Sequence, residues 1–188
     1  MNFAYLLPKI GEAFFFFVPA FIGNCTPIIF GKLKPFSNWN APMDFYKTFR
    51  GKRILGSHKT IRGFIVGPLF ALFAGLVQYY LVKNSIVNID YNVYQSLTPT
   101  LILSFLMGFG ALIGDSTKSF FKRQSNVAPG KPWIPFDLID FTLGSAALSF
   151  WFFYPGLTIY IIGIIFNPIY SLISNAFSKL VGLKKTWI

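Results

Sequence analysis

The stretch Leu97-Thr-Pro-Thr-Leu-Ile-Leu-Ser-Phe-Leu-Met-Gly-Phe-Gly-Ala-Leu-Ile113, followed at once by Gly114-Asp115-Ser-Thr-Lys118-Ser119-Phe-Phe-Lys122-Arg123, decides the class of this chain. Its first part approaches the ~17–25 apolar residues that carry a helix across a bilayer. Its second part turns abruptly to charge. Phe64–Val82 is a second run of the same kind, and the chain as a whole is 54% hydrophobic and 20% aromatic. Only 12% of residues are charged, against roughly 25% in an ordinary soluble domain. These values describe an all-α, polytopic membrane protein, read as a single domain over residues 1–188.

Working outward, five apolar runs predict five transmembrane helices: about Ile10–Phe30, Ile61–Val82, Leu97–Ile113, Leu138–Phe153 and Leu157–Phe177. Pro27 is expected to unwind the first locally, and Pro155-Gly156 to turn the chain between the last two. Glu12 before the run of phenylalanines and Asn24 before Cys25 suit signal-peptide cleavage poorly, so the first run is expected to be retained. The lone cysteine excludes an internal disulfide.

Basic residues vote on orientation. The long segment 31–60 carries Lys32, Lys34, Lys47, Arg50, Lys52, Arg53 and Lys59. Segment 114–136 carries Lys118, Lys122, Arg123 and Lys131, and the tail carries Lys179, Lys184 and Lys185. With five spans all three fall on one face, which puts the N-terminus outside, the C-terminus in the cytoplasm and both long loops on the cytoplasmic side. Trp39, Trp133 and Trp187 lie near the expected interfaces. The net charge of +11 then points to anionic lipid or nucleotide phosphate. No recognised nucleic-acid module is present, and no nucleic acid is expected as a partner.

Three of the six carboxylates, Asp115, Asp137 and Asp140, fall in one window between two apolar runs. An unpaired charge there costs several kcal/mol or more. Asp137 and Asp140 are spaced i, i+3 and share a helical face; Asp115 and Ser119 are spaced i, i+4. Oxygen ligands from two helices suit Mg²⁺, which takes one or two carboxylates together with substrate phosphates. The plainer account makes Asp137 a helix cap and pairs Asp140 with Lys122 or Arg123. Lys122 and Arg123 suit phosphate, and they also suit an interfacial anchor. Lys59-Thr60 leads into the second run, where a helix N-terminus favours an anion, but the glycine spacing is not that of a P-loop. Asn24 either lines a cavity or satisfies backbone near Pro27. His58 reads as a loop residue. There is no Ser-His-Asp set, zinc spacing or dinucleotide fingerprint.

The order Gly114-Asp115-x-x-x-Ser119-Phe-Phe-Lys122-Arg123, then Asp137-x-x-Asp140-Phe141, resembles the signature of membrane CTP:phosphatidate cytidylyltransferases. The first half adds Asn24-x-x-Pro27, Pro42-Met-Asp44-Phe, Gly51-Lys-Arg53-Ile-Leu-Gly56 and Lys59-Thr60-x-Arg62-Gly63. In a short five-helix chain this combination is similar to the archaeal branch, the CDP-archaeol synthases. The bacterial ester-lipid enzymes usually carry Lys-Asp after the Ser-x-x-Lys-Arg and His-Gly-Gly before the last carboxylates. Here the corresponding stretch is Pro129-Gly-Lys-Pro-Trp133.

The resemblance implies a cell-membrane cytidylyltransferase that moves CMP from CTP to 2,3-bis-O-(geranylgeranyl)-sn-glycerol 1-phosphate, an isoprenoid ether-lipid phosphate, with its site on the cytoplasmic side. It implies Mg²⁺ on Asp115, Asp137 and Asp140, with Lys122 and Arg123 compensating the triphosphate. Lys59, Thr60 and Arg62 would flank the phosphates, Ser119 and Arg53 belong to the same substrate set, and Asn24 and Asp44 would shape the pocket. Two competing expectations are the same chemistry on ester-linked phosphatidate, and a non-catalytic polybasic membrane protein or small transporter.

Overall fold

Three prolines, at 8, 19 and 27, interrupt the sequence of the first helix, yet α1 (Phe3–Phe30) is continuous in the computed structural model. A proline removes the amide that would bond the carbonyl four residues earlier. For Pro19 that carbonyl is Phe15, and Gln78 of α2 (Ile61–Lys83) donates to it from Nε2 at 2.5 Å. For Pro27 it is Gly23, whose carbonyl lies under Gly67 of α2, so near that a Cβ there would come within 2.7 Å. The neighbouring Thr26 hydroxyl donates to the Ile22 carbonyl at 2.6 Å. The expected unwinding at Pro27 therefore does not occur, because a second helix and a hydroxyl shield the exposed backbone.

The structure describes residues 3–31, 39–128 and 131–180. Lys32, Lys34, Lys184, Lys185, Trp187 and the Pro129-Gly130 step lie outside them, as does the side chain of Lys179. After α2 come a single 3₁₀ turn (Asn92–Gln95), α3 (Leu97–Gln124), α4 (Phe136–Phe150) and α5 (Leu157–Leu180). Between α1 and α2 a two-residue strand, β1 (Thr48–Phe49), pairs antiparallel with β2 (Lys52–Arg53). Arg50 and Gly51 close it with φ of 51° and 75°, the positive pair that a tight hairpin turn of the primed type requires. The helical class holds; beside this hairpin the described residues add an isolated antiparallel bridge between Pro42 and Thr60.

One boundary moves substantially. The third helix does not end at Ile113; it runs on to Gln124, so Asp115, Lys118, Ser119, Lys122 and Arg123 are helical residues rather than loop residues. The reason is that the charges recur at i+3 and i+4, which lets them pair along and beside the helix without leaving it. At 28 residues the helix is about 42 Å long.

Helix α3 is central, packing on α1, α2 and α4, while α5 covers α1 and α4. The core is Phe16, Phe17, Leu103, Met107, Phe141 and Ile159, with Tyr94 closing the end away from the long loop. Outside it, Leu69, Phe73, Trp151, Leu157 and Ile165 are exposed. Inside, small or polar residues such as Thr100, Ser104, Thr142, Ser145 and Ser149 are fully buried. This apolar-outside, small-and-polar-inside distribution is the packing that lipid demands. Among the described residues three helices are long and apolar enough to cross a membrane: Leu6–Phe30, Ile61–Lys83 and Leu97–Gln124.

The α3–α4 contact positions the site. Gly110 and Gly114 of α3 face Gly144 of α4, and a Cβ on Gly114 would come 2.9 Å from the Gly144 Cα. Only hydrogen side chains allow the two backbones to approach so closely. Asp115 and Asp140 sit beside that crossing.

Candidate active site

Where α3 and α4 emerge from their glycine contact, three aspartates meet three lysines. The Lys118 ammonium lies 3.1 Å from Asp115 Oδ1, 2.8 Å from Asp137 Oδ1 and 2.8 Å from Asp140 Oδ2. Lys122 Nζ reaches Asp137 Oδ2 at 2.8 Å. Lys59, at the end of the long loop, pairs with Asp115 Oδ2. The carboxylates also hold backbone: Asp137 accepts from the Trp133 amide at 2.5 Å, and Asp140 accepts from the Phe141 amide at 2.7 Å. Lys122 and Asp140 are buried. Three negative and three positive groups cancel, which is how so many ionised side chains persist in an apolar surround.

The network brings together Lys59, Asp115, Lys122, Asp137 and Asp140, all singled out above. It also contains Lys118, which was not among the expected site residues although it touches all three aspartates. Its i+3 spacing from Asp115 was visible; its reach to α4 was not. Asp140 pairs with Lys118 rather than with Lys122 or Arg123. Arg123 is half-buried and outside the network, because successive helical residues diverge by about 100°. Ser119 is buried on α3, one turn beyond Asp115. Asp137 both steadies the turn into α4 and pairs with two lysines.

Residues from the first half frame this cluster. Thr60 is the N-cap of α2, its hydroxyl accepting from the Gly63 amide at 3.2 Å, the usual service of such a residue. Arg62 is buried against the C-terminal end of α1, where a Cβ on Gly31 would meet its Nη2 at 3.2 Å; a cation there complements the helix dipole. Asn24 is half-buried on α1 and takes no part in the network. His58 is an exposed loop residue.

Asp44 organises the long loop. Its buried carboxylate receives Arg53 Nη2 at 2.5 Å and Nε at 3.1 Å, and the amides of Leu55 and Gly56 at 3.0 Å each. Burial pushes the Asp44 carboxyl up, but the Arg53 guanidinium and the Leu55, Gly56 and Tyr46 amides outweigh it and hold it well below the usual carboxylate range. The same pair raises Arg53. Lys52 ties the hairpin to α3 by donating to the Gln124 carbonyl at 2.7 Å.

Two hollows accompany these elements, and neither is lined by network residues. One, of about 400 Å³, lies between the loop and the opposite flank of α3, walled by Ile54, Leu55, Phe64, Ile113, Ser116 and Phe120, among others. The second, about 550 Å³, lies at the other end of the bundle beside Glu12, Phe15 and Asn88. There Glu12 pairs with Lys9 and accepts from the Tyr91 hydroxyl at 2.7 Å.

The cluster supplies hard oxygen donors without the spacing of a formed metal centre. Among the described residues no three acidic, histidine or cysteine side chains stand at metal-ligating spacing. The three carboxylates nonetheless converge on one cation, the Lys118 ammonium, and hard oxygen donors of this number suit a magnesium-sized ion.

Comparison with known proteins gives a consistent result. Residues 6–188 match the family described as CarS-like: CDP-archaeol synthase. The chain is 35% identical to the CDP-archaeol synthase of Pyrococcus horikoshii over 179 residues, covering 93% of this chain and 94% of that one. It is 32% identical to the Methanocaldococcus jannaschii CDP-archaeol synthase over 173 residues, covering 92% and 93%. A solved structure described as an intramembrane enzyme for archaeal membrane lipids biosynthesis superposes with a TM-score of 0.72 at 27% identity, over 88% of this chain and 94% of that one.

Proposed function

Because the chain belongs to the CDP-archaeol synthase family, we propose that its lysine–aspartate network is where CMP passes from CTP to an archaeal ether-lipid phosphate. The chain is a CTP-dependent nucleotidyltransferase of membrane-lipid synthesis, embedded in the bilayer as a multi-pass protein. The acceptor is 2,3-bis-O-(geranylgeranyl)-sn-glycerol 1-phosphate. One of its phosphate oxygens forms a bond to the α-phosphorus of CTP, the bond from that phosphorus to the bridging oxygen breaks, and pyrophosphate leaves. The nucleophile is already an anion at neutral pH, so no general base is required.

What remains for the protein is orientation and charge. Lys59 and Lys122 present ammonium groups to the triphosphate from two sides, and Arg123 adds a planar donor at the rim. Ser119 lines the floor. Thr60 and Arg62 fix the start of α2, so that Lys59 stands at a set distance from α3. Asp44 and Arg53 shape the pocket from behind by bracing the loop, and Asn24 shapes it from α1. Asp115, Asp137 and Asp140 would hold Mg²⁺. A divalent cation there neutralises the triphosphate and the departing pyrophosphate oxygens.

All five helices lie in the bilayer in this reading, with the N-terminus outside. The basic segments Lys47–Lys59 and Lys118–Lys131 then lie on the cytoplasmic side, where CTP is found. The observation that carries the proposal is the convergence of Lys59, Lys118 and Lys122 with all three aspartates at one end of α3. The test is detergent-purified protein with CTP, Mg²⁺ and either the geranylgeranyl ether phosphate or ester phosphatidate, read for pyrophosphate. Release with the ether lipid is expected. Release with ester phosphatidate alone would replace the acceptor, and release with neither would overturn the reaction.

A further inference from the structure

As it stands, the network described above turns its carboxylates onto lysines rather than toward a ligand. Every carboxylate oxygen that points to its centre is taken by an ammonium, and the two hollows described above are lined by other residues. Lys118 is the group responsible. It is the one side chain of the described network that touches all three aspartates, spanning α3 and α4 with contacts of 2.8–3.1 Å. Its side chain is 15% exposed and those of Asp115 and Asp140 18% and 6%, so bulk solvent does little to screen the group.

We infer that Lys118 is a tethered counter-cation: it occupies the aspartate cluster in the ligand-free enzyme and gives way when a divalent cation arrives with the nucleotide. This inference rests on the metal reading given above. Without Lys118 the three carboxylates would keep only Lys59 and Lys122, one positive charge short, and would repel one another across the glycine contact. With it, the cluster is neutral and preformed. A lysine suits the role, being a point charge on a flexible four-carbon stem that can swing away. Once freed, the ammonium moves to the triphosphate, so that one positive charge serves the aspartates before binding and the nucleotide after it. The cluster then binds metal weakly on its own and well only with the phosphates that draw Lys118 off.

The experiment measures Mn²⁺ binding by electron paramagnetic resonance on purified full-length protein without nucleotide, for the wild type, Lys118→Met, Lys118→Arg and Asp140→Asn. Lys118→Met removes the competing charge at similar volume and should bind Mn²⁺ about ten- to a hundredfold more tightly than the wild type. Lys118→Arg keeps the charge and should show no such gain. Thermal unfolding adds a second readout: in EDTA Lys118→Met should melt below the wild type, and Mn²⁺ should restore it more than it raises the wild type. If Lys118→Met does not survive extraction, Lys118→Gln carries the same comparison. Should Asp140→Asn weaken Mn²⁺ binding while neither neutral variant tightens it, the counter-cation role is overturned and the metal reading stands. Should Asp140→Asn leave Mn²⁺ binding unchanged, both are overturned.

Discussion

Lys59 and Asp115, fifty-six positions apart in the chain, are joined by a direct ion pair that fastens the long loop to the central helix. The pair makes the end of that basic loop one wall of the proposed site. Lys59→Met leaves Asp115 with one fewer partner in a half-dry position, a loss of about 1–3 kcal/mol. Thermal melts of Lys59→Met, Asp115→Asn and the double variant should therefore be non-additive, and the KM for CTP should rise in each. Additive losses would mean that the contact contributes nothing in solution.

Asp140 lies one turn inside α4 and pairs only with Lys118 among the described lysines. Asp140→Asn keeps the shape and removes the charge. Pyrophosphate release should fall at least about a hundredfold, while gel filtration and helical circular dichroism stay those of the wild type. Retained turnover would take Asp140 out of the chemistry.

The glycine contact between α3 and α4 gives a third expectation. A methyl group on Gly114 would meet the Gly144 Cα at 2.9 Å and also press on the Asp140 carbonyl. Gly114→Ala should cost about 1–3 kcal/mol and separate Asp115 from the α4 aspartates. Activity should fall further than stability, measured as kcat beside the melting temperature. Gly11→Ala, where a Cβ meets nothing, is the control.

Acid should act on the long loop through Asp44. The folded carboxyl titrates below its ordinary value near 3.8. The stability it confers is complete above that value and is lost as pH falls through the lower folded one. Amide exchange at Leu55 and Gly56, whose N–H groups bond to it, should show constant protection from pH 7 down to about 4. Asp44→Asn should be less protected already at pH 7. Equal protection in the two proteins would deny the carboxylate its bracing role.

Much of this was legible in the residues. The apolar runs located five helices, because hydrophobic length is a strong signal in a chain with so few charges. The end of α3 was not legible: Asp115 and Lys118 resemble a departure from the membrane until their mutual spacing is seen as helical pairing. Lys118 was not counted among the site residues for a related reason, since pattern shows neighbours along a helix but not the approach of α4, which depends on Gly110, Gly114 and Gly144 together. Pro27 misled because the fate of a lone carbonyl depends on the helix opposite. The Asp44–Arg53 clip was hidden in a loop whose path turns on positive φ at Phe45, Tyr46 and Arg50, which no periodicity encodes.

The length of α3 has one last consequence. Asp115 stands eighteen residues after Leu97, about 27 Å along the axis, close to the ~30 Å thickness of the hydrocarbon layer. That depth matches the level at which a bilayer holds its lipid phosphates. Under the proposed function, a lipid acceptor would meet the site at that level with its tails still in the bilayer.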